Sequence, residues 1–286
     1  MIPKLYTNMP LTHIRAFVAE VSLVYPFNIS ITFASGMKVL RFLYSIYAAI
    51  IFVASMLLIF PFVIVASFFG RIKGGNAIYR LCTLWSDIWF ALTFIFVRRI
   101  YEAPFEDTKK YIIVANHISY LDIPMLVKVF RKPLRPLGKI EMTKIPVFGF
   151  IYKYAIVTVD RSDAQHRALS LRLMRSILNK GISIFVFPEG TFNETGQALK
   201  EFYNGAFKLA IETQTPVKPV LFLDTFDRMH YGTVFSLNPG KSRVVYLKEI
   251  SVDGLTMHDV SALRDKVFSE MEKALIAHNA SWISKQ

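Results

Sequence analysis

Residues 42–70 form a run of 29 positions without one charged side chain, opened by Lys38 and Arg41 and closed by Arg71 and Lys73. A helix needs about 20 apolar residues to cross a bilayer, so this run is long enough to span one. Pro61 lies inside it. Because proline removes a backbone donor, the run reads as a kinked span or as two shorter helices that enter one leaflet and return. Length alone also leaves open a helix buried in a protein core. A second run, residues 84–97, carries Trp85 and Trp89 and stops at Arg98 and Arg99. It is short for a span and suits an interfacial helix with aromatic anchors.

Charge separates lipid from nucleic acid as the partner. Of the 34 Lys and Arg, nine fall in residues 1–100, against two acids there, Glu20 and Asp87. These cations flank apolar runs instead of forming a polar stripe, which fits an anionic lipid surface and argues against nucleic acid. The single cysteine, Cys82, cannot close an intrachain disulfide or build a cysteine metal site. With 53% hydrophobic and 19% charged residues, a disordered chain is excluded.

After residue 104 the texture changes to short β-rich runs alternating with helical ones, the pattern of an α/β domain. Strands are expected at 111–115, 155–159, 182–187, 219–223 and 243–250, and helices at 120–130, 164–179, 205–212 and 260–278. The expected architecture is a mixed central sheet flanked by helices, residues 105–286, preceded by a membrane-associated helical region, residues 1–104.

His117 directly follows the apolar strand 111–115, in the sequence Asn116-His117-Ile118-Ser119-Tyr120-Leu121-Asp122. Five positions along a continuous helix turn the side chain by about 140° net. His117 and Asp122 therefore meet only if His117 lies in the strand-to-helix loop and Asp122 in the first helical turn. Ser119-x-x-Asp122 has the form of an N-terminal cap, consistent with that placement. By spacing alone two readings stand: Asp122 serves the helix start, or it orients His117 as a general base. Phe187-Pro188-Glu189-Gly190-Thr191 ends another apolar run in a turn, which is either an ordinary tight turn or an anion-binding loop. A basic cluster, Arg131, Lys132, Arg135, Lys139 and Lys144 with Arg161 beyond, is either solvated surface or a phosphate site.

In order, these blocks resemble the glycerophospholipid acyltransferase family, most closely the 1-acyl-sn-glycerol-3-phosphate acyltransferases. The Asn116–Asp122 block is similar to the family's H-x4-D motif. Gly138-Lys139-Ile140-Glu141, Ile145-Pro146-Val147-Phe148-Gly149 and Val159-Asp160-Arg161 resemble its second block, Phe187 to Thr191 its FPEGT block, and Thr215-Pro216-Val217-Lys218-Pro219-Val220 its fourth. The resemblance covers about residues 105 to 225 and implies acyl transfer from a thioester of coenzyme A or acyl carrier protein to a lysophospholipid hydroxyl. His117 and Asp122 would be catalytic, with Lys139, Arg161, Glu189, Gly190 and Thr191 binding the substrate. It implies no cofactor and no metal, a bilayer as partner, and a place on the cytoplasmic face of the inner or plasma membrane. Backbone amides near Gly190 or at the Ser119 turn would stabilise the oxyanion. The chain departs from the family at Phe192, where Arg often follows the FPEGT block, and at Ala155, where Gly is frequent. The first departure leaves open another lysolipid or an amine-headed lipid as acceptor, and the basic, apolar first 100 residues leave open a catalytically silent lipid-binding scaffold.

Overall fold

The computed structural model describes residues 29–160 and 163–283. Residues 42–67 of the uncharged run lie in one continuous helix, α1 (Ile29–Ser67), and Pro61 does not end it. A turn at Gly70 and a short π-helical segment, Gly70–Gly74, lead into α2 (Gly75–Leu92), which returns along α1. The return is fixed by aromatic packing. Phe52 meets Trp85 and Trp89 edge-on at 4.6 and 5.6 Å. The Trp89 indole donates to the Ala48 carbonyl at 2.9 Å and that of Trp85 to Phe52 at 3.3 Å. Both tryptophans are buried between the helices, so they are packing residues and not the interfacial anchors expected of them.

The expected helix over 84–97 also ends early. Thr93 terminates α2, Phe94 takes a positive φ of 51°, and the β-favouring Ile95, Phe96 and Val97 open a strand, β1 (Ile95–Tyr101). Next come β2 (Ile112–Ala115), α3 (Asp122–Val129), β3 (Arg135–Lys139), α4 (Phe148–Ala155) and β4 (Val157–Val159). These are followed by α5 (Ala164–Asn179), β5 (Ile184–Val186), α6 (Gly205–Glu212) and β6 (Val217–Phe222). The chain closes with α7 (Thr225–Arg228), β7 (Gly240–Tyr246) and α8 (Val260–Ala277). Ala155, expected to begin a strand, ends α4.

The strands form one sheet in the order β1-β7-β6-β2-β5-β3-β4. β2, β3, β4, β5 and β6 run parallel; β7 is antiparallel to β6 and carries β1 parallel to itself. This is the mixed sheet flanked by helices that the sequence leads one to expect. Every residue of β2, β5 and β6 is buried, as in a sheet covered on both faces. Ile112, Val114 and Ile184 face a core shared with α5, α6 and α8, whereas Tyr111, Ile113 and Phe185 face one shared with α2 and α3. Residue 104 is not a break in packing, because β1 precedes it and belongs to the sheet. The described residues from Phe42 onward form one compact unit.

Arg135, read in sequence as part of a basic cluster, is buried at the start of β3. Its guanidinium donates to the carbonyls of Leu134 and Arg71 at 3.0 and 3.2 Å and to Asn76 Oδ1 at 2.8 Å. Burial pushes its pKa down to about 10. The charge thus ties the sheet to the turn of the helix pair and is spent there.

Gly74 allows that turn to close, since a Cβ built on it would sit 2.3 Å from the Ala66 carbonyl oxygen. Gly74→Ala forces backbone apart and is expected to cost about 1–3 kcal/mol, read as a lower melting temperature of the detergent-solubilised protein.

Candidate active site

The site lies beyond the carboxyl ends of β2 and β5, adjacent parallel strands, where open α/β sheets place their ligands. At the end of β2 the buried Asn116 side chain continues the ladder to β6. Its Nδ2 donates to the Phe222 carbonyl at 3.0 Å, and Phe222 N–H donates to its Oδ1 at 2.8 Å. This clamp fixes the point from which His117 leaves the sheet.

Asp122 is the first residue of α3 and is fully buried. Its Oδ2 accepts three hydrogen bonds, from Ile118 N–H at 2.8 Å, Ser119 N–H at 2.9 Å and His117 Nδ1 at 2.9 Å. A carboxylate oxygen only accepts, so Nδ1 carries the hydrogen and Nε2 presents its lone pair. The loop-plus-first-turn placement inferred from the five-residue spacing is therefore the one present. Ser119 is committed elsewhere: its hydroxyl donates to the Met229 carbonyl and accepts from Leu121 N–H. The cap is half the expected box, with Leu121 replacing Asp122 as the backbone donor to the serine.

The other expected residues divide. Glu189 is buried, its Oε1 accepting from His117 N–H at 2.8 Å and its Oε2 from Lys200 N–H at 2.9 Å. It holds the FPEGT loop against the histidine loop, and burial pushes its carboxyl up to about 8 against those two donors. Gly190, at φ 77°, makes the turn, and its N–H donates to the Phe187 carbonyl. The amides of Ile118, Ser119, Leu121 and Gly190 are engaged within these loops. Thr191 is exposed and accepts from Lys200 Nζ at 2.8 Å. Lys139 is exposed at the carboxyl end of β3, which neighbours β5. Arg161 lies outside the described residues.

Aromatic rings wall the imidazole. Phe187 stacks on His117 at 4.0 Å and 12°, and Phe192 meets it at 4.5 Å and 63°. Tyr120 contacts Phe192 at 4.8 Å. An apolar cavity of about 400 Å³ opens beside Tyr120 and Leu121, between α1, α2, α3 and the segment from Met229 to Leu237. Another, of about 510 Å³, lies beside Phe187, Pro188 and Gly190 on the α5 and α6 side. Sequence reasoning missed the clamp of Asn116 and the part played by Lys200. Asn116 was legible as a polar residue ending a buried strand; Lys200, eleven positions beyond Glu189, carries no local signal. Among the described residues, no three His, Cys, Asp or Glu side chains gather as a metal site.

A family model described as Acyltransferase matches residues 88–223. The 1-acyl-sn-glycerol-3-phosphate acyltransferase alpha of Mus musculus is 31% identical over 205 residues, 71% of this chain and 70% of that protein. The chain belongs to the glycerophospholipid acyltransferase family. A chloroplastic 1-acyl-sn-glycerol-3-phosphate acyltransferase, BAT2 of Brassica napus, is 31% identical over 204 residues, 71% of this chain and 58% of its own length. The crystal structure of the 1-acyl-sn-glycerophosphate acyltransferase PlsC of Thermotoga maritima superposes with a TM-score of 0.66 at 25% identity, covering 88% of this chain and 99% of that one. As an acyltransferase, the chain has a histidine whose tautomer is set and whose neighbours Tyr120 and Phe187 each line an apolar cavity.

The bridge made by Glu189 is open to measurement. Glu189→Gln puts an NH2 group against a backbone N–H and is expected to cost about 1–3 kcal/mol. A carboxyl whose folded pKa is raised favours folding fully below its ordinary value of 4.5, and that benefit is lost as pH rises through about 8. Paired melting curves should therefore show the gap between wild type and variant widest in acid and narrowing toward pH 8.

Proposed function

We propose that the chain moves a fatty acyl group from a thioester of coenzyme A or acyl carrier protein to the sn-2 hydroxyl of 1-acyl-sn-glycerol 3-phosphate, giving phosphatidate. The observation that carries this reading is the Asp122-held imidazole with Nε2 left as base. Nε2 takes the hydroxyl proton as the oxygen bonds to the thioester carbonyl carbon. When the carbon–sulfur bond breaks, the leaving thiolate receives that proton, and the histidine returns to its starting tautomer. A base so placed contributes about 10²- to 10⁴-fold. The thioester is already activated, so the step draws on no metal. Lys139 and Arg161 are proposed to meet the acceptor phosphate, with Lys200 and Thr191 at the margin. Glu189 acts through His117 as a positioning residue.

Membrane attachment is part of the proposal. Gly36–Ser67 is apolar enough to cross a bilayer, at a mean hydropathy of 2.9, yet only 22% of its most apolar window is buried. Leu58, Phe62, Phe68 and Phe69 are all more exposed than half. A core helix would hide these side chains; a lipid-facing one presents them. Both substrates carry hydrocarbon, and the cavity under the helix pair receives a chain at about 0.8 kcal/mol per methylene removed from water. The catalytic unit is placed on the cytoplasmic face, where thioester carriers are made.

Phe192 supports a second reading. It stands against His117 where an Arg is frequent, replacing one cation with a ring, which favours a less anionic acceptor such as another lysolipid or an amine-headed lipid. Membranes holding the protein, given a labelled acyl thioester and lysophosphatidate, should form phosphatidate, and His117→Ala should lower the rate at least about a hundredfold. An unchanged rate would overturn the mechanism. A panel of acceptors decides between the readings: preference for lysophosphatidate upholds the first, and preference for a neutral or amine head group the second.

A further inference from the structure

Three segments distant in sequence bring exposed apolar side chains to one corner of the molecule. Residues 42–47 of α1 supply Phe42, Leu43 and Ile46; the corner after α2 supplies Leu92 and Phe94; the segment before β7 supplies Val234 and Phe235. All are roughly half-exposed. They are held together by specific contacts. The Phe42 and Phe235 rings lie 5.2 Å apart. Leu237 N–H donates to Ser45 Oγ at 3.1 Å, Tyr47 Oη donates to the Leu92 carbonyl at 3.1 Å, and Tyr44 Oη donates to the Thr93 carbonyl. Gly240 N–H donates to the Phe94 carbonyl at 2.9 Å, which closes the ring of contacts.

We infer that this collar is a second lipid-docking surface, supplied by the catalytic unit itself, which seats the mouth of the 400 Å³ cavity in the leaflet. It rests on the membrane part of the proposed function. A bilayer is the occupant because the collar continues the exposed apolar face of α1 without a gap, through Phe42 against Phe235. Charge agrees: residues 42–70, 88–101 and 228–248 contain no acid, while Arg98 and Lys241 are exposed on neighbouring strands. Such a surface is attracted to an anionic leaflet. Val234 and Phe235 also line the cavity, together with Tyr120 and Leu121 of the histidine loop. Seated this way, the cavity wall that Val234 and Phe235 share with α1 lies at the leaflet, which shortens the path of a lipid chain toward the histidine loop.

The test places an environment-sensitive NBD dye on Phe235→Cys and, separately, Phe94→Cys in the full chain, reconstituted in vesicles of phosphatidylcholine and phosphatidylglycerol with nitroxide-labelled acyl chains. Lys273→Cys, exposed on α8, serves as the water-facing control, and wild type labelled in parallel gives the background from Cys82. The expected result is blue-shifted emission quenched by the nitroxide lipids at positions 235 and 94, with neither change at 273. Protein that floats with the vesicles but shows water-like emission at 235 and 94 would overturn the collar and leave attachment through α1 standing. Emission that is blue-shifted yet unquenched, in vesicles as in detergent, would mean a protein surface covers the corner and also overturns it. Failure to float removes the collar and the membrane reading together, whereas acyl transfer to a detergent-dispersed acceptor reports on His117 independently.

Discussion

One carboxylate oxygen organises the chemistry of this protein. Asp122 Oδ2 accepts from two successive backbone amides and from His117 Nδ1, so the same atom shapes the loop, starts the helix and sets the tautomer. These donors come from three consecutive residues, 117–119, bent tightly enough to surround it. A buried carboxylate is costly unless well hydrogen-bonded, and here the compensation comes from the groups that must be placed for acyl transfer. Glu189 extends the logic to the next strand: its two oxygens bridge the histidine loop and the segment at Lys200. Two strand-end loops thereby become a single rigid body.

The second constraint is mechanical. The helix pair formed by α1 and α2 is joined to the sheet at its turn, where the buried Arg135 guanidinium meets the Arg71 carbonyl and Asn76, and at its other end by Ser45, whose hydroxyl accepts from Leu237 N–H ahead of β7. The apolar cavity lies between these two attachments. The exposed apolar helix and the loop that carries the histidine thus share one cavity, through Phe52 and Val53 on one side and Tyr120 and Leu121 on the other.

Much of the fold was readable because its signals are local. The helices at 164–179 and 205–212 carry apolar periodicity and clear stops and occur with those bounds; the buried parallel strands announce themselves as continuous apolar runs. The misreadings were of elements whose state is decided by neighbours. Residues 95–101 are apolar enough to continue a helix and become a strand because β7 offers a ladder. Arg135 looks like any surface cation until the helix turn closes over it. Trp85 and Trp89 resemble interfacial anchors, yet Phe52 and the carbonyls of α1 capture them.

The sequence by itself determined that a long uncharged helix precedes an α/β domain, and that His117 and Asp122 meet only across a loop and a first turn, because helical geometry forbids the alternative. Only the tertiary structure decided what surrounds that pair. That Glu189 bridges the amides of His117 and Lys200, that Phe187 and Phe192 wall the imidazole, and that Gly190 spends its amide within its own turn all depend on which strand ends lie side by side. Such adjacency follows from sheet order, and sheet order is settled by packing among residues up to a hundred positions apart, which no local pattern encodes.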